Sequence, residues 1–141
     1  MKSNPIQTVA HHWPVRIYYE DTDMQGIVYY ANYLKYLERA RTEFLREKGF
    51  EQDLLIEQQG IAFAVRSVAM DYVKPAKFND ELVVITQVKE LKRVSLVFQQ
   101  TVIRPADDNE ILNIATIKIA SLDAQSMKIK AIPTNMIEQL T

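Results

Sequence analysis

The chain has 141 residues, a formal net charge of −1 and no cysteine. That length suits one compact domain, and with 48% of its residues apolar the chain can build a core without a covalent or metal staple. The missing cysteine excludes disulfides, a cysteine nucleophile and thiolate zinc sites, and the balanced charge offers no basic field for nucleic acid.

The opening segment, MKSNPIQTVAHHW, has no apolar h-region and is not expected to be a signal peptide. No apolar run approaches the roughly 18 residues a membrane span needs. The expectation is a soluble cytoplasmic protein with one domain over residues 1–141, of which residues 1–11 form a loose terminus. From His12 to Glu20 a period of two sets Trp13, Val15, Ile17 and Tyr19 on one face of a strand. Pro14 cannot donate to a ladder, which puts this strand at a sheet edge. Asp21 to Gly26 reads as a turn. A helix then follows, with Tyr30, Tyr33, Leu34, Leu37, Ala40, Phe44 and Leu45 as its apolar stripe and Gly49 as its stop. Lys35, Arg39, Thr42, Glu43 and Arg46 take the other face, with Glu43 able to pair with Arg39. Residues 51–58 suit a short second helix ended by Gly60.

The remainder reads as strands. Ile61 to Tyr72 alternates with a phase slip that predicts a bulge near Arg66–Ser67. Leu82–Leu91, Val94–Ile103 and Ile111–Leu122 follow. Lys92–Arg93 forms a tight corner, and a second slip falls between Ile114 and Ile117. Met127–Ile132 suits a short last strand and Pro133–Leu140 a terminal helical turn. The order predicts an α+β fold with one long helix against an antiparallel sheet. One helix covers one face only, and the apolar surface left over suggests pairing with a second subunit.

Asp21, Asp23 and Gly26 stand just before the long helix. The plain reading is turn chemistry: aspartate accepts local N–H bonds and glycine supplies a positive φ. The functional reading uses the free N–H groups of a helix start, which can polarise a carbonyl oxygen while a carboxylate acts as base or nucleophile. Glu38 is a second acid within the helix, with contacts to Arg41 or Thr42 as its plain reading. His11 and His12 are adjacent, so in a strand they point to opposite faces and cannot share a metal; no metal site is expected. Phosphate-loop motifs are absent. A nucleotide-bearing ligand would instead rely on side chains such as Lys92, Arg93 and Ser95, or Arg66, Lys74 and Lys77. The plain reading of these charges is a solvated surface.

The run Tyr18-Tyr-Glu-Asp-Thr-Asp23-x-x-Gly26-Ile-Val-Tyr-Tyr-Ala-Asn-Tyr33 resembles the signature of hotdog-fold acyl-CoA thioesterases of the 4-hydroxybenzoyl-CoA thioesterase type. The continuation YLERARTEFLREKGF, with FAVRSVAMDYVKPAKFND and SLVFQQTV, is closer to the Tol–Pal-associated acyl-CoA thioesterase branch. The similarity runs from Val15 to Pro133. It implies a hotdog fold, a curved antiparallel sheet wrapped around one central helix. It further implies dimers with a continuous sheet, often assembled into tetramers, with active sites at the dimer interface.

By position, the resemblance gives Asp23 the catalytic role and Tyr30 the backbone N–H that holds the oxyanion, with Gly26 shaping the loop. It places Lys92, Arg93 and Ser95 near the coenzyme A phosphates. The substrate it implies is an acyl-CoA, with no cofactor beyond the coenzyme A of the substrate, and envelope or lipid-synthesis proteins are possible partners. The branch commonly has histidine where this chain has Tyr30; a backbone donor survives that change, an imidazole role does not. The alternative on the same fold is a non-catalytic acyl-CoA or acyl-carrier binding module or adaptor. A dehydratase ranks below both, because no histidine sits in the matching loop.

Overall fold

The structure, a computed structural model, describes residues 4–5 and 9–141. Among the described residues six strands form one antiparallel sheet: β1 (Asn4–Pro5), β2 (His11–Arg16), β3 (Ile61–Tyr72), β4 (Glu81–Leu91), β5 (Ser95–Arg104) and β6 (Glu110–Asp123). β1 and β2 both pair with β4, at different points along it, and the sheet continues through β5 and β6 to β3. Helix α1 (Asn32–Glu47) packs on one face of the sheet. A short α2 (Gln52–Leu54) runs into a π-helical turn, Leu55–Gln59, and α3 (Thr134–Leu140) follows β6. Of residues 1–11, expected to be loose, Asn4–Pro5 pairs with Glu90–Leu91 and His11 opens β2; residues 1–3 and 6–8 lie outside the described residues. No helix among the described residues is long and apolar enough to cross a membrane.

The helix buries Tyr33, Tyr36, Leu37, Ala40, Arg41, Phe44 and Leu45. These meet Val84, Phe98, Val102 and Ile117 of the sheet, with the Phe44 and Phe98 rings edge to face at 5.8 Å. Two members of the expected stripe are exposed, Tyr30 at 61% and Leu34 at 45%. Tyr30 precedes the helix, which starts at Asn32. Leu34 lies on the row with Glu38, Arg41 and Leu45, which borders a cavity beside the helix. Glu43 pairs with Arg46 rather than Arg39. Gly49, at φ +96°, ends the helix: its N–H donates to Arg46 and that of Phe50 to Leu45.

β2 alternates as expected up to Ile17, but Tyr19 enters a 3₁₀ turn (Tyr19–Asp21) and is exposed. The β3 bulge falls between Val65 and Ser67, as the phase slip predicts. The slip in β6 lies earlier than expected. Val102 faces Asn113 and Ile103 faces Ile111, so Leu112 and Asn113 are both buried. Residues 127–132 do not form the expected strand and make a single bridge, Ile129 to Leu122. The Asp123 carboxylate takes the N–H groups of Gln125 and Ser126, and the chain turns away through Met127 at φ +62°.

β3 is one edge of the sheet, opposite the edge made by β1 and β2, and it runs lengthwise past the helix. Its Ile61 end lies beside the Ser95–Leu96 end of β5, through Ile119 and Ala120 of β6; its Tyr72 end meets the start of α1. Val65, Val68 and Tyr72 are 51%, 41% and 50% exposed along it, so twelve residues of edge stand open to another strand.

Candidate active site

The loop before α1 folds back on itself. The Tyr29 N–H donates to Asp21 O, Thr22 bridges Val28, and the Asp23 N–H donates to Ile27 O at 2.9 Å. The turn at its tip closes with the Gly26 N–H on Asp23 O, and Gly26 has φ +79°. A Cβ there would meet nothing, so the glycine serves conformation rather than space. The loop is laced to the segment before β4 by Ile27 bridging Lys77 and by the Val28 N–H on Ala76 O.

The two aspartates differ in what they hold. Asp21 is half-buried; its Oδ2 accepts the Tyr18 N–H at 2.8 Å, and its carbonyl accepts Asn32 Nδ2 at 2.9 Å. Burial, then the Asp21 carboxylate beside it, push the Tyr36 phenol up. Asp23 is exposed. Its Oδ1 accepts the Gln25 N–H at 2.9 Å, and its Oδ2 has no partner among the described residues. Asp21 is a clamp inside the loop, and Asp23 offers one free carboxylate oxygen.

Two N–H groups also stand free. Asn32 donates to Tyr29 O, Tyr33 to Tyr30 O and Leu34 to Ala31 O, while Tyr30 and Ala31 themselves donate to nothing among the described residues. Both peptide planes are nevertheless held. The plane carrying the Tyr30 N–H is fixed by Asn32 at 2.9 Å on Tyr29 O. The plane carrying the Ala31 N–H is fixed by the Tyr72 hydroxyl, which donates to Tyr30 O at 3.2 Å. The rings of Tyr29, Tyr30, Tyr72, Tyr33 and Tyr36 form a continuous chain of tilted and edge contacts, with centroids 4.9 to 6.2 Å apart. The expectation of packing fits Tyr33 and Tyr36, whereas Tyr29 and Tyr30 are largely exposed.

Asp23, Gly26 and Tyr30 therefore share one loop, but the basic group lies elsewhere. Lys92 and Ser95 line a cleft of about 310 Å³ with Arg66, Ser67 and Lys118. It sits on the sheet face away from the helix, because Val97 and Lys118 point opposite to the buried Leu96 and Phe98. Arg93 does not line it; its carbonyl accepts the Ile132 N–H. Between Val65, level with this corner, and Tyr72, beside the loop, β3 travels about 20 Å. Glu38 is exposed, accepts the Thr42 hydroxyl at 3.2 Å, and borders the cavity beside α1. Ala31 and Tyr72 were not legible as site residues: one adds only a main-chain donor, and the other lies 42 residues from Tyr30.

Among the described residues no cluster of three or more histidine or acidic side chains could hold a metal. Residues 18–140 match the thioesterase-like superfamily. The chain is 46% identical over 121 residues to the acyl-CoA thioesterase YbgC of Haemophilus influenzae, covering 86% of this chain and 87% of that protein. It is 38% identical over 134 residues to the acyl-CoA thioester hydrolase YbgC of Escherichia coli, covering 95% and 98%. A 4-hydroxybenzoyl-CoA thioesterase solved with 4-hydroxybenzoyl-CoA superposes with a TM-score of 0.86 at 25% identity, covering 94% of this chain and 99% of that one. A probable thioesterase from Bartonella henselae gives 0.83 at 30% identity, covering 89% and 100%.

Proposed function

The chain belongs to the thioesterase-like superfamily, and from that membership we propose that it hydrolyses acyl-CoA to a free carboxylic acid and coenzyme A, with Asp23 as base or nucleophile and the Tyr30 N–H as oxyanion donor. The fold is the hotdog fold. The observation that carries the site is the pairing, within one loop, of a free carboxylate oxygen on Asp23 with the unpartnered N–H groups of Tyr30 and Ala31.

The thioester oxygen lies against these N–H groups, at the positive end of α1. In the base route, Asp23 takes a proton from water as the hydroxide adds to the carbonyl carbon. The tetrahedral oxyanion collapses, the C–S bond breaks, and the proton passes to the departing thiolate. In the nucleophile route, an Asp23 oxygen adds instead, and water cleaves the resulting anhydride. A single turnover in ¹⁸O water identifies the nucleophile route where water opens the anhydride at the aspartyl carbonyl, because label then enters the Asp23 carboxylate, which the base route never labels. Neither route needs a cofactor or an imidazole at residue 30.

The same reading makes the protein a homodimer through β3, with further assembly to a tetramer. Its support is the open edge. Two β3 strands paired antiparallel carry the loop of one copy to the Lys92–Ser95 corner of the other, which unites groups that one chain holds apart. Lys92 and Ser95 then face the coenzyme A phosphates, with Arg93 beside them. The cytoplasm, where acyl-CoA is made and used, is the working compartment, and association with Tol–Pal or lipid-synthesis proteins rests on the sequence resemblance. The test is thiol release from a panel of acyl-CoAs, run with sedimentation to give the oligomeric state. Tight binding without turnover across short, long and aromatic chains would leave a binding module instead.

A further inference from the structure

We propose that the cavity beside α1 is the acyl subsite and that Arg41 and Glu38 select acyl groups of about six carbons bearing a neutral oxygen near the far end. The proposal rests on the thioesterase reading of the loop. The cavity measures about 160 Å³ and is walled by Leu45, Phe63, Leu96, Phe98 and Ile119. An apolar void of about 150 Å³ takes a benzene-sized guest, which sets the chain length. Phe63 and Val65 place it against β3, with Val65 51% exposed, so it borders the β3 edge where the loop of a second copy would lie.

Its polar lining is Glu38, Arg41 and Thr42 of α1 with Gln52 of α2, whose Nε2 donates to Thr42 Oγ1 at 3.3 Å; the rest of the wall is apolar. Arg41 is only 9% exposed, and its Nη1 donates to Gln100 Oε1 at 2.9 Å. Gln100 is fully buried, and its Nε2 donates to Leu37 O at 2.9 Å and Thr86 Oγ1 at 3.0 Å. A carbonyl can only accept, so the amide is locked with its oxygen toward Arg41. The guanidinium is held, yet its Nε and Nη2 make no hydrogen bond among the described residues. Burial lowers the Arg41 pKa and the nearby Glu38 carboxylate opposes that. Glu38 gives one oxygen to Thr42 and keeps the other free.

A purely alkyl guest excludes water from Arg41 and leaves its donors unpaired, which a polar site penalises strongly. A hydroxyl or keto oxygen satisfies them. A guest carboxylate would also meet Arg41 but is opposed by Glu38, whose charge cancels that of the arginine. The selected class is therefore oxygenated and neutral.

The experiment compares hexanoyl-, 5-oxohexanoyl- and adipoyl-CoA by kcat/KM, and their non-hydrolysable thioether analogues by calorimetry. The oxo substrate should exceed hexanoyl by about tenfold or more, mainly through KM. Arg41→Met should bring that ratio to about one. Glu38→Gln, at an exposed position, should raise adipoyl relative to oxohexanoyl and needs no change in the core. Equal affinity of the hexanoyl and oxohexanoyl thioethers for the wild-type protein overturns the proposal, as does a ratio unchanged in folded Arg41→Met. A thioether preference without hydrolysis of any acyl-CoA would support the subsite while removing the thioesterase reading.

Discussion

Asp23→Asn is the sharpest perturbation of the loop, because it removes a charge and almost nothing else. The asparagine Oδ1 can still accept the Gln25 N–H, which Asp23 holds at 2.9 Å. The two other bonds at this residue, its N–H to Ile27 and its carbonyl from Gly26, are main chain. Asp23 is exposed and buries no charge. The stability change should therefore stay within about 0.5 kcal/mol in urea. What the variant loses is the basicity of Oδ2, and loss of a general base costs about 10²–10⁴ in rate. Some turnover should survive, because the Tyr30 and Ala31 donors are intact.

Asp21→Asn is the matched control. Its carboxylate holds the Tyr18 N–H at 2.8 Å inside the loop, a bond the asparagine Oδ1 can also accept, so the change should cost about 0.5 kcal/mol or less and less than about tenfold in rate. Thiol release from acyl-CoA and urea denaturation read both variants. The reasoning is refuted if Asp23→Asn stays within about threefold of wild type, or if folded Asp21→Asn loses more activity than Asp23→Asn.

Three more outcomes are expected. Tyr30→Pro deletes the main-chain donor and should lower kcat by about 10²–10³ with the helical circular dichroism kept, whereas Tyr30→Phe should change it little; equal behaviour of the two would remove the N–H from the mechanism. Asn113 is fully buried with neither amide atom hydrogen-bonded, so Asn113→Leu should be neutral or stabilising in thermal denaturation, and a loss above about 1 kcal/mol would point to an ordered water on the amide. The N–H groups of Ser126, then Gln125, hold the Asp123 carboxyl below its ordinary value of 3.8. A depressed carboxyl stabilises the fold above its unfolded pKa and loses that contribution as pH falls through the folded one. Asp123→Asn should thus narrow its stability gap to wild type in acid, and a gap independent of pH between 6 and about 3 would exclude this linkage.

The parts of the fold that were legible from the sequence share one property: their signal is local. The β3 bulge showed as a slip from Phe63 and Val65 to Val68 and Met70, because one extra residue inverts the period of two. Gly49 and Gly60 were legible as stops, since both sit at positive φ just past a helical segment. Misreadings came where a tertiary partner decides. Tyr30 fits the helical spacing, but the Tyr72 hydroxyl and the Asn32 N–H hold it in the turn before the helix. Arg41 entered the sequence reading only as a contact for Glu38, and its burial beside Gln100, 59 residues away, had no local signal. Met127–Ile132 carries alternating residues, but the Asp123 turn leaves Ile129 with one bridge. The turn through Asp23 and Gly26 was legible because it closes within three residues, with the Gly26 N–H on Asp23 O. The cavity was not, since its walls come from α1, β3, β5 and β6.

The direction of β3 carries a stoichiometric consequence. If each working site takes its loop from one chain and its cavity from another, two dead variants can rescue each other. Asp23→Asn supplies a sound cavity, and Thr42→Trp, which fills the cavity, supplies a sound loop. After random re-pairing of equal amounts, half of the dimers are mixed and each has one of its two sites intact, so about a quarter of wild-type activity should return. A site built within a single chain would recover none.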